Sequence, residues 1–195
     1  MLRVFAVVLA VLLVAGGGFS AGHWGFPGHR TASSSAKENV LFQQAFSLQS
    51  EGHLQKAQTI YRRILQLDPL NSYAYYDLGL IYQDASDTTD ATTAYEKALL
   101  IQPDYQPAIF NLASIETLTA PQAAIALYQQ LQKLPNLSHA DAVAFNLGLL
   151  LLENGQTAEG YSQLAYAVRL TPALQKRIPA KYLPIPQASG TTGTP

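Results

Sequence analysis

The stretch Ser72–Tyr105, SYAYYDLGLIYQDASDTTDATTAYEKALLIQPDY, decides how the rest of the chain is read. Its first half carries Tyr75, Leu78, Gly79 and Tyr82 at helical spacing, and its second half carries Ala91, Tyr95 and Ala98 before Pro103. Apolar residues recurring every three or four positions make one face of a helix, so the pattern predicts two helices with a polar turn between them. Gly79, Ala91 and Ala98 are small enough to let two helix backbones approach closely, and the tyrosines and leucines fill the space beside them. One such hairpin cannot bury its own apolar faces, so it needs similar neighbours on either side.

Counting back 34 residues from Gly79, Ala91, Tyr95 and Pro103 lands on Ala45, Ala57, Tyr61 and Pro69. Counting forward, with small shifts in the turns, gives Ala113, Ala124, Tyr128 and Pro135, then Gly148, Gly160, Leu164 and Pro172. In this the chain resembles the tetratricopeptide repeat family, whose unit has this length and this small–aromatic–proline pattern. The resemblance covers residues 37–174. It implies an all-α fold, a right-handed superhelical solenoid of four helix-turn-helix hairpins at 37–71, 72–105, 106–137 and 138–174. The third unit is a variant, with one residue fewer in its turn and Pro135 arriving early.

The chain has 195 residues, 48% of them hydrophobic, enough for a continuous core along a stack of hairpins. Its formal net charge is −1 with no long basic run, so the electrostatic footprint of a nucleic-acid binder is absent. It contains no cysteine, which excludes a disulfide framework, a thiolate metal site and a cysteine nucleophile.

Residues 1–22 differ from the rest. Arg3 is followed by an uncharged run through Gly22, with its apolar centre at Val4–Ala15. That centre has the length of a signal-peptide core. The whole run approaches what a helix needs to cross a bilayer, and Trp24 and Phe26 fall where an interfacial belt would sit. The expectation is an N-terminal apolar helix anchoring the chain through residues 4–22, single-pass, with the repeats on the non-cytoplasmic side of the cell membrane. The alternative is a signal cut after Ser20, leaving a secreted or periplasmic protein. Residues 23–36, rich in glycine and serine, read as a flexible linker, and the proline-rich 175–195 as a partly disordered tail.

Helix starts are expected at Ser35-Ala-Lys-Glu38, which has capping-box spacing, at Asp87, at Thr119-Ala-Pro-Gln122 and at Ser138-His-Ala-Asp141. Each offers a side-chain oxygen to an unpaired amide. The helix Asp141–Gly155, apolar nearly all round, calls for cover on more than one side. The tail, a partner or a second copy meeting it through the fourth repeat could supply that cover.

No catalytic constellation stands out. His23, His29, His53 and His139 have neither ligand spacing on one helix nor a carboxylate in a recognised motif. Asp84, Asp87 and Asp90 cluster at a polar turn, where helix capping and solvation account for them. Neither an enzyme, a cofactor nor a metal is expected.

In the tetratricopeptide family the first helix of each unit lines a concave groove, and the resemblance implies that places two, five, six, nine and twelve of each unit face it. Counted from Glu38, these include Phe42, Gln43, Phe46 and Gln49, then Tyr73, Tyr76, Asp77, Leu80 and Gln83. The third unit supplies Phe110 and Asn111, and the fourth Phe145, Asn146 and Leu149. An aromatic recurs at place five, and beside it an amide or a carboxylate. Amides can donate to and accept from an extended peptide, while aromatics offer shallow apolar pockets. No lysine or arginine stands at these places, so a partner's carboxylate would be desolvated without a cation. The expected function is a membrane-tethered protein-interaction scaffold whose partner is apolar or aromatic and neutral to mildly basic. The alternative is a self-associating structural or assembly protein.

Overall fold

The second hairpin forms where its sequence places it, and its starts and stops have local causes. The computed structural model describes residues 36–185. The expected anchor 1–22, Ser35 of the first cap, the linker up to residue 35 and the tail beyond 185 lie outside the described residues. Eight α-helices run in chain order among the described residues: α1 Ala36–Ser50, α2 Leu54–Leu67, α3 Ser72–Asp84, α4 Thr88–Ile101, α5 Gln106–Thr119, α6 Pro121–Lys133, α7 Ala140–Glu153 and α8 Thr157–Leu170. Two 3-10 turns follow, Pro172–Arg177 and Ala180–Tyr182. No strand occurs among the described residues.

Side-chain caps fix two of the starts. Asn71 Oδ1 accepts from the Ala74 amide at 2.9 Å, and Asp87 Oδ1 from the Asp90 amide at 3.1 Å. Two expected caps fall elsewhere. Thr119 is the last residue of α5, and the cap of α6 is Ala120, which has no side-chain oxygen. Pro121 opens that helix instead, and proline suits a first position because it brings no unpaired amide. The cap of α7 is His139 rather than Ser138, with a left-handed backbone at φ 54°. The third hairpin turn is short because α5 and α6 are joined by Ala120 alone.

The described residues divide between two compact units, 36–115 and 116–185. In the first, α1 packs on α2, α2 on α3, and α3 on α4, so neighbours in sequence are neighbours in space. Its core includes Phe42, Ala45, Ala57, Tyr61, Ile64, Ala74, Leu78 and Ile81, with Tyr61 meeting Phe42 edge-on at 5.6 Å. Glu38 accepts from Asn71 Nδ2 at 2.6 Å and ties the first hairpin to the second.

In the second unit, α6 packs on α7, α7 on α8, and α8 on the turn Pro172–Arg177. Every residue from Ala142 to Leu152 is buried. Leu174 and Ile178 of the following segment are buried as well. The Glu153 carboxylate, at the end of α7, accepts from Lys181 Nζ and the Tyr182 hydroxyl. Thr171 Oγ1 donates to Asp141 Oδ2 at 2.6 Å and closes the far end of the same hairpin.

Candidate functional site

The inner-face places are occupied unevenly. In α1, Gln43 is exposed and Phe46 half-buried, while Phe42 is buried. In α3, Tyr73 and Leu80 are half-buried and Tyr76 and Asp77 are buried. Phe110 and Asn111 of α5 are buried. In the second unit Phe145, Asn146 and Leu149 are all buried. The open portion of this face therefore lies on α1 and α3.

The first unit brings Tyr73, Tyr76, Asp77 and Asn111 together and adds residues that the place-counting did not single out. Tyr105, just ahead of α5, meets Tyr73 edge-on at 5.3 Å and Tyr76 edge-on at 5.2 Å. Tyr76 lies 5.8 Å from Tyr95 of α4. Edge-to-face and offset rings at these separations attract through their quadrupoles. The hydroxyls are wired to amides. Tyr61 donates to Gln49 Oε1 at 3.0 Å and Tyr95 to Gln83 Oε1 at 2.8 Å, the same bond one repeat apart. Asn111 Nδ2 donates to the Tyr76 hydroxyl at 3.3 Å. In the second unit Asn146 Nδ2 donates to the Tyr128 hydroxyl at 3.3 Å, and Asn146 Oδ1 is buried without a hydrogen-bond partner. The signal for Tyr61 and Tyr95 was their repeat spacing, which reads equally well as packing. Tyr105 sits between elements and carries no periodic signal.

Asp77 is the one carboxyl inside this cluster. Burial pushes it up to about 7, and a hydrogen bond from the Tyr61 hydroxyl pulls the other way without prevailing. Burial also raises the hydroxyls of Tyr61, Tyr76, Tyr95 and Tyr105, and the Asp77 charge adds to each. Those tyrosines stay neutral and can only donate or accept hydrogen bonds. Replacing Asn111 or Asn146 would remove a buried donor to a tyrosine, so such variants test packing as much as recognition. Among the described residues no group of histidines and carboxylates is placed to hold a metal, and no helix is long and apolar enough to cross a membrane.

Comparison with known proteins agrees with this architecture. Two tetratricopeptide repeat profiles match, one over residues 39–71 and the other over 60–93. Among curated proteins, 88 residues are 35% identical to the photosystem I assembly protein Ycf3 of Cyanophora paradoxa, covering 44% of this chain and 51% of that one. A further 86-residue match, 29% identical, falls in the human protein O-mannosyl-transferase TMTC3, covering 43% of this chain. The chain thus spans about half the length of the first relative and 9% of the second. The solved structure of YrrB, described as a TPR protein with an unusual peptide-binding site, superposes with a TM-score of 0.64 at 24% identity, covering 73% of this chain and 74% of that one. Helices paired in sequence order, the recurring tyrosine-to-glutamine bond and the matched profiles together make this chain a tetratricopeptide-repeat protein.

Proposed function

We propose that the chain is a non-catalytic scaffold that holds an extended segment of a partner protein along α1 and α3. The observation that carries this is the partly open, uncharged strip of Gln43, Phe46, Tyr73 and Leu80, set beside the tyrosine cluster. Half-exposed aromatics give a partner apolar area without the entropy cost of long flexible side chains, and Gln43 can both donate and accept. No cation stands on the strip, so an apolar or aromatic segment, neutral or mildly basic, fits it best. YrrB, of the same fold, is named for a peptide-binding site, which lends the reading a precedent in kind. Anchoring through residues 4–22, with the repeats on the non-cytoplasmic side, would place the partner at the membrane surface.

Photo-crosslinking tests the groove. A benzoylphenylalanine at Gln43 or Leu80 should trap a partner in cells, and one at Lys56 or Glu96 on the second helices of the hairpins should not. Trapping from Lys56 alone would move the site to the other face. Carbonate extraction tests the anchor, since a chain released into the soluble fraction is not held by a spanning segment.

A further inference from the structure

Two half-buried tyrosines stand together at one end of the first unit. Tyr73 lies two residues past Asn71, the cap of α3, and Tyr105 lies just ahead of α5. Their rings meet at 5.3 Å with 80° between planes, and the buried Tyr76 meets Tyr105 at 5.2 Å and 72°. Rings set so nearly at right angles make a corner, with Tyr76 as its apolar floor and its mouth where Tyr73 and Tyr105 reach solvent. An aromatic or a proline ring suits such a corner. Aromatic groups attract edge to face, and proline lies against aromatic walls with little conformational freedom left to lose.

The chain enters the fold at the same end. Glu38, in the first turn of α1, accepts from Asn71 Nδ2 at 2.6 Å, so Ala36 starts α1 close to the cap of α3. Residues 1–35 lie ahead of that point and outside the described residues. Within them His23–Arg30, HWGFPGHR, holds Trp24, the one tryptophan of the sequence, with Phe26 and Pro27. Pro27 is nine residues ahead of Ala36, an extended reach of about 30 Å, ample for turning back past Asn71 to the tyrosines. Charge agrees with that path. Residues 1–35 contain Arg3 and Arg30 and no carboxylate. The receiving end presents the exposed Asp104 beside Tyr105 and the half-buried Asp68 ahead of α3, against one cation of α1, Lys37. The chain beyond residue 185 carries no aromatic residue and offers nothing of this chemistry.

We propose that residues 24–30 of this chain turn back into the corner of Tyr73, Tyr76 and Tyr105 and occupy it from within the molecule. A tether this short holds its ligand at an effective concentration on the order of a millimolar, so even a weak contact is filled. The docking needs no partner. Its consequence, that a partner must displace this segment before it reaches Tyr73, rests on the scaffold reading above.

Trp24 reports its own surroundings, being the single tryptophan of the full chain. The full chain is placed in nanodiscs of ordinary or brominated phosphatidylcholine, and its tryptophan emission is titrated with iodide. Docked in the corner, Trp24 is screened from iodide and untouched by the bromines. In the double variant Tyr73→Ala, Tyr105→Ala, iodide quenching should rise severalfold. Quenching by brominated lipid, which puts Trp24 in the bilayer interface, or equal iodide quenching of the two proteins would overturn the proposal. A second measurement leaves the tyrosines intact. The sequence has no cysteine, so a designed pair reports without background. Gly28→Cys with Asp104→Cys should close a disulfide within one molecule on mild oxidation, and Gly28→Cys with Asp84→Cys, at the far end of α3, should not. Equal yields from the two pairs, or a disulfide-linked dimer in place of the internal bond, would refute the docking.

Discussion

The second and fourth hairpins carry the same four contact places and fill them by opposite means. In the second, these are Gly79, Gln83, Ala91 and Tyr95, and in the fourth, Gly148, Leu152, Gly160 and Leu164. A Cβ built on Gly79 would stand 2.4 Å from Tyr95 Cε1, so an aromatic ring lies against the bare backbone of α3. The ring is fully buried, and its hydroxyl is held by Gln83. In the fourth hairpin the tyrosine–glutamine pair is a leucine–leucine pair, and the alanine is a second glycine. A Cβ on Gly160 would stand 2.7 Å from Leu152 Cγ and 2.9 Å from the Gly148 carbonyl oxygen. One hairpin is spaced by a tethered ring; the other brings two backbones nearly into contact. The polar tie and the close approach are alternatives, because a ring needs the room that the glycine pair closes.

That contrast is broken most severely at Gly160. Gly160→Leu must push apart a backbone carbonyl and a buried leucine, and neither can step aside. We expect a loss of about 3 kcal/mol, the upper end for overpacking, read by urea unfolding. A midpoint within error of the native chain would mean that α7 and α8 do not approach as described.

Gly79→Ala should cost less, about 1 kcal/mol net, because the new Cβ meets only a side chain and alanine recovers helix propensity. The first hairpin gives the precedent. Ala45 holds the place of Gly79 there and is fully buried opposite a fully buried Tyr61. A loss as large as that of Gly160→Leu would show that the Tyr95 ring cannot shift, and would make the two glycines equivalent after all.

The periodic part of this contrast could be read before any coordinates. Ala57 and Ala91, Tyr61 and Tyr95, and Pro69 and Pro103 recur in strict register, and a hairpin's closest contacts depend on residue size at such places. Helix starts were legible where a side-chain oxygen stood at the cap, as at Asp87, and misleading where a proline or a left-handed residue did the work, as at Pro121 and His139. Glu38 shows a different limit. Its spacing from Ser35 suggests a local cap, and gives no sign of the bond that it accepts from Asn71, 33 residues away. The inner face was legible in direction only. Counting places puts Asp77 on the inner face, but does not show that it is buried or that Tyr105, from outside the helix, meets Tyr76 beside it.

The tie between Tyr95 and Gln83 can be sized by a double-mutant cycle. Tyr95→Phe should cost about 1 kcal/mol, the usual net worth of one hydrogen bond, and Gln83→Leu should then cost little further. Full additivity would show that the hydroxyl and the amide act independently and that the second hairpin, like the fourth, rests on packing alone.

The smallest effect lies in the turns, where the two hairpins differ by one residue type. Gly155 turns the fourth at φ 77° and Gly52 turns the first at φ 79°, but the second turns at Ser86 with φ 61°. A side chain in the left-handed region costs on the order of 1 kcal/mol, which glycine avoids. Glycine also frees the unfolded chain, and that offsets part of the gain. Ser86 is exposed, and its amide donates to the Gln83 carbonyl at 2.9 Å, a bond that glycine keeps. Ser86→Gly should therefore raise stability by about 0.5 kcal/mol, seen as a small upward shift of the urea midpoint with an unchanged slope. The converse change, Gly155→Ala, should lower it, because open space around the Cβ does not relieve the backbone. If Ser86→Gly destabilises, the serine side chain contributes something to the turn that the backbone geometry does not contain, and the second hairpin then depends on polar ties at its turn as well as at its ring.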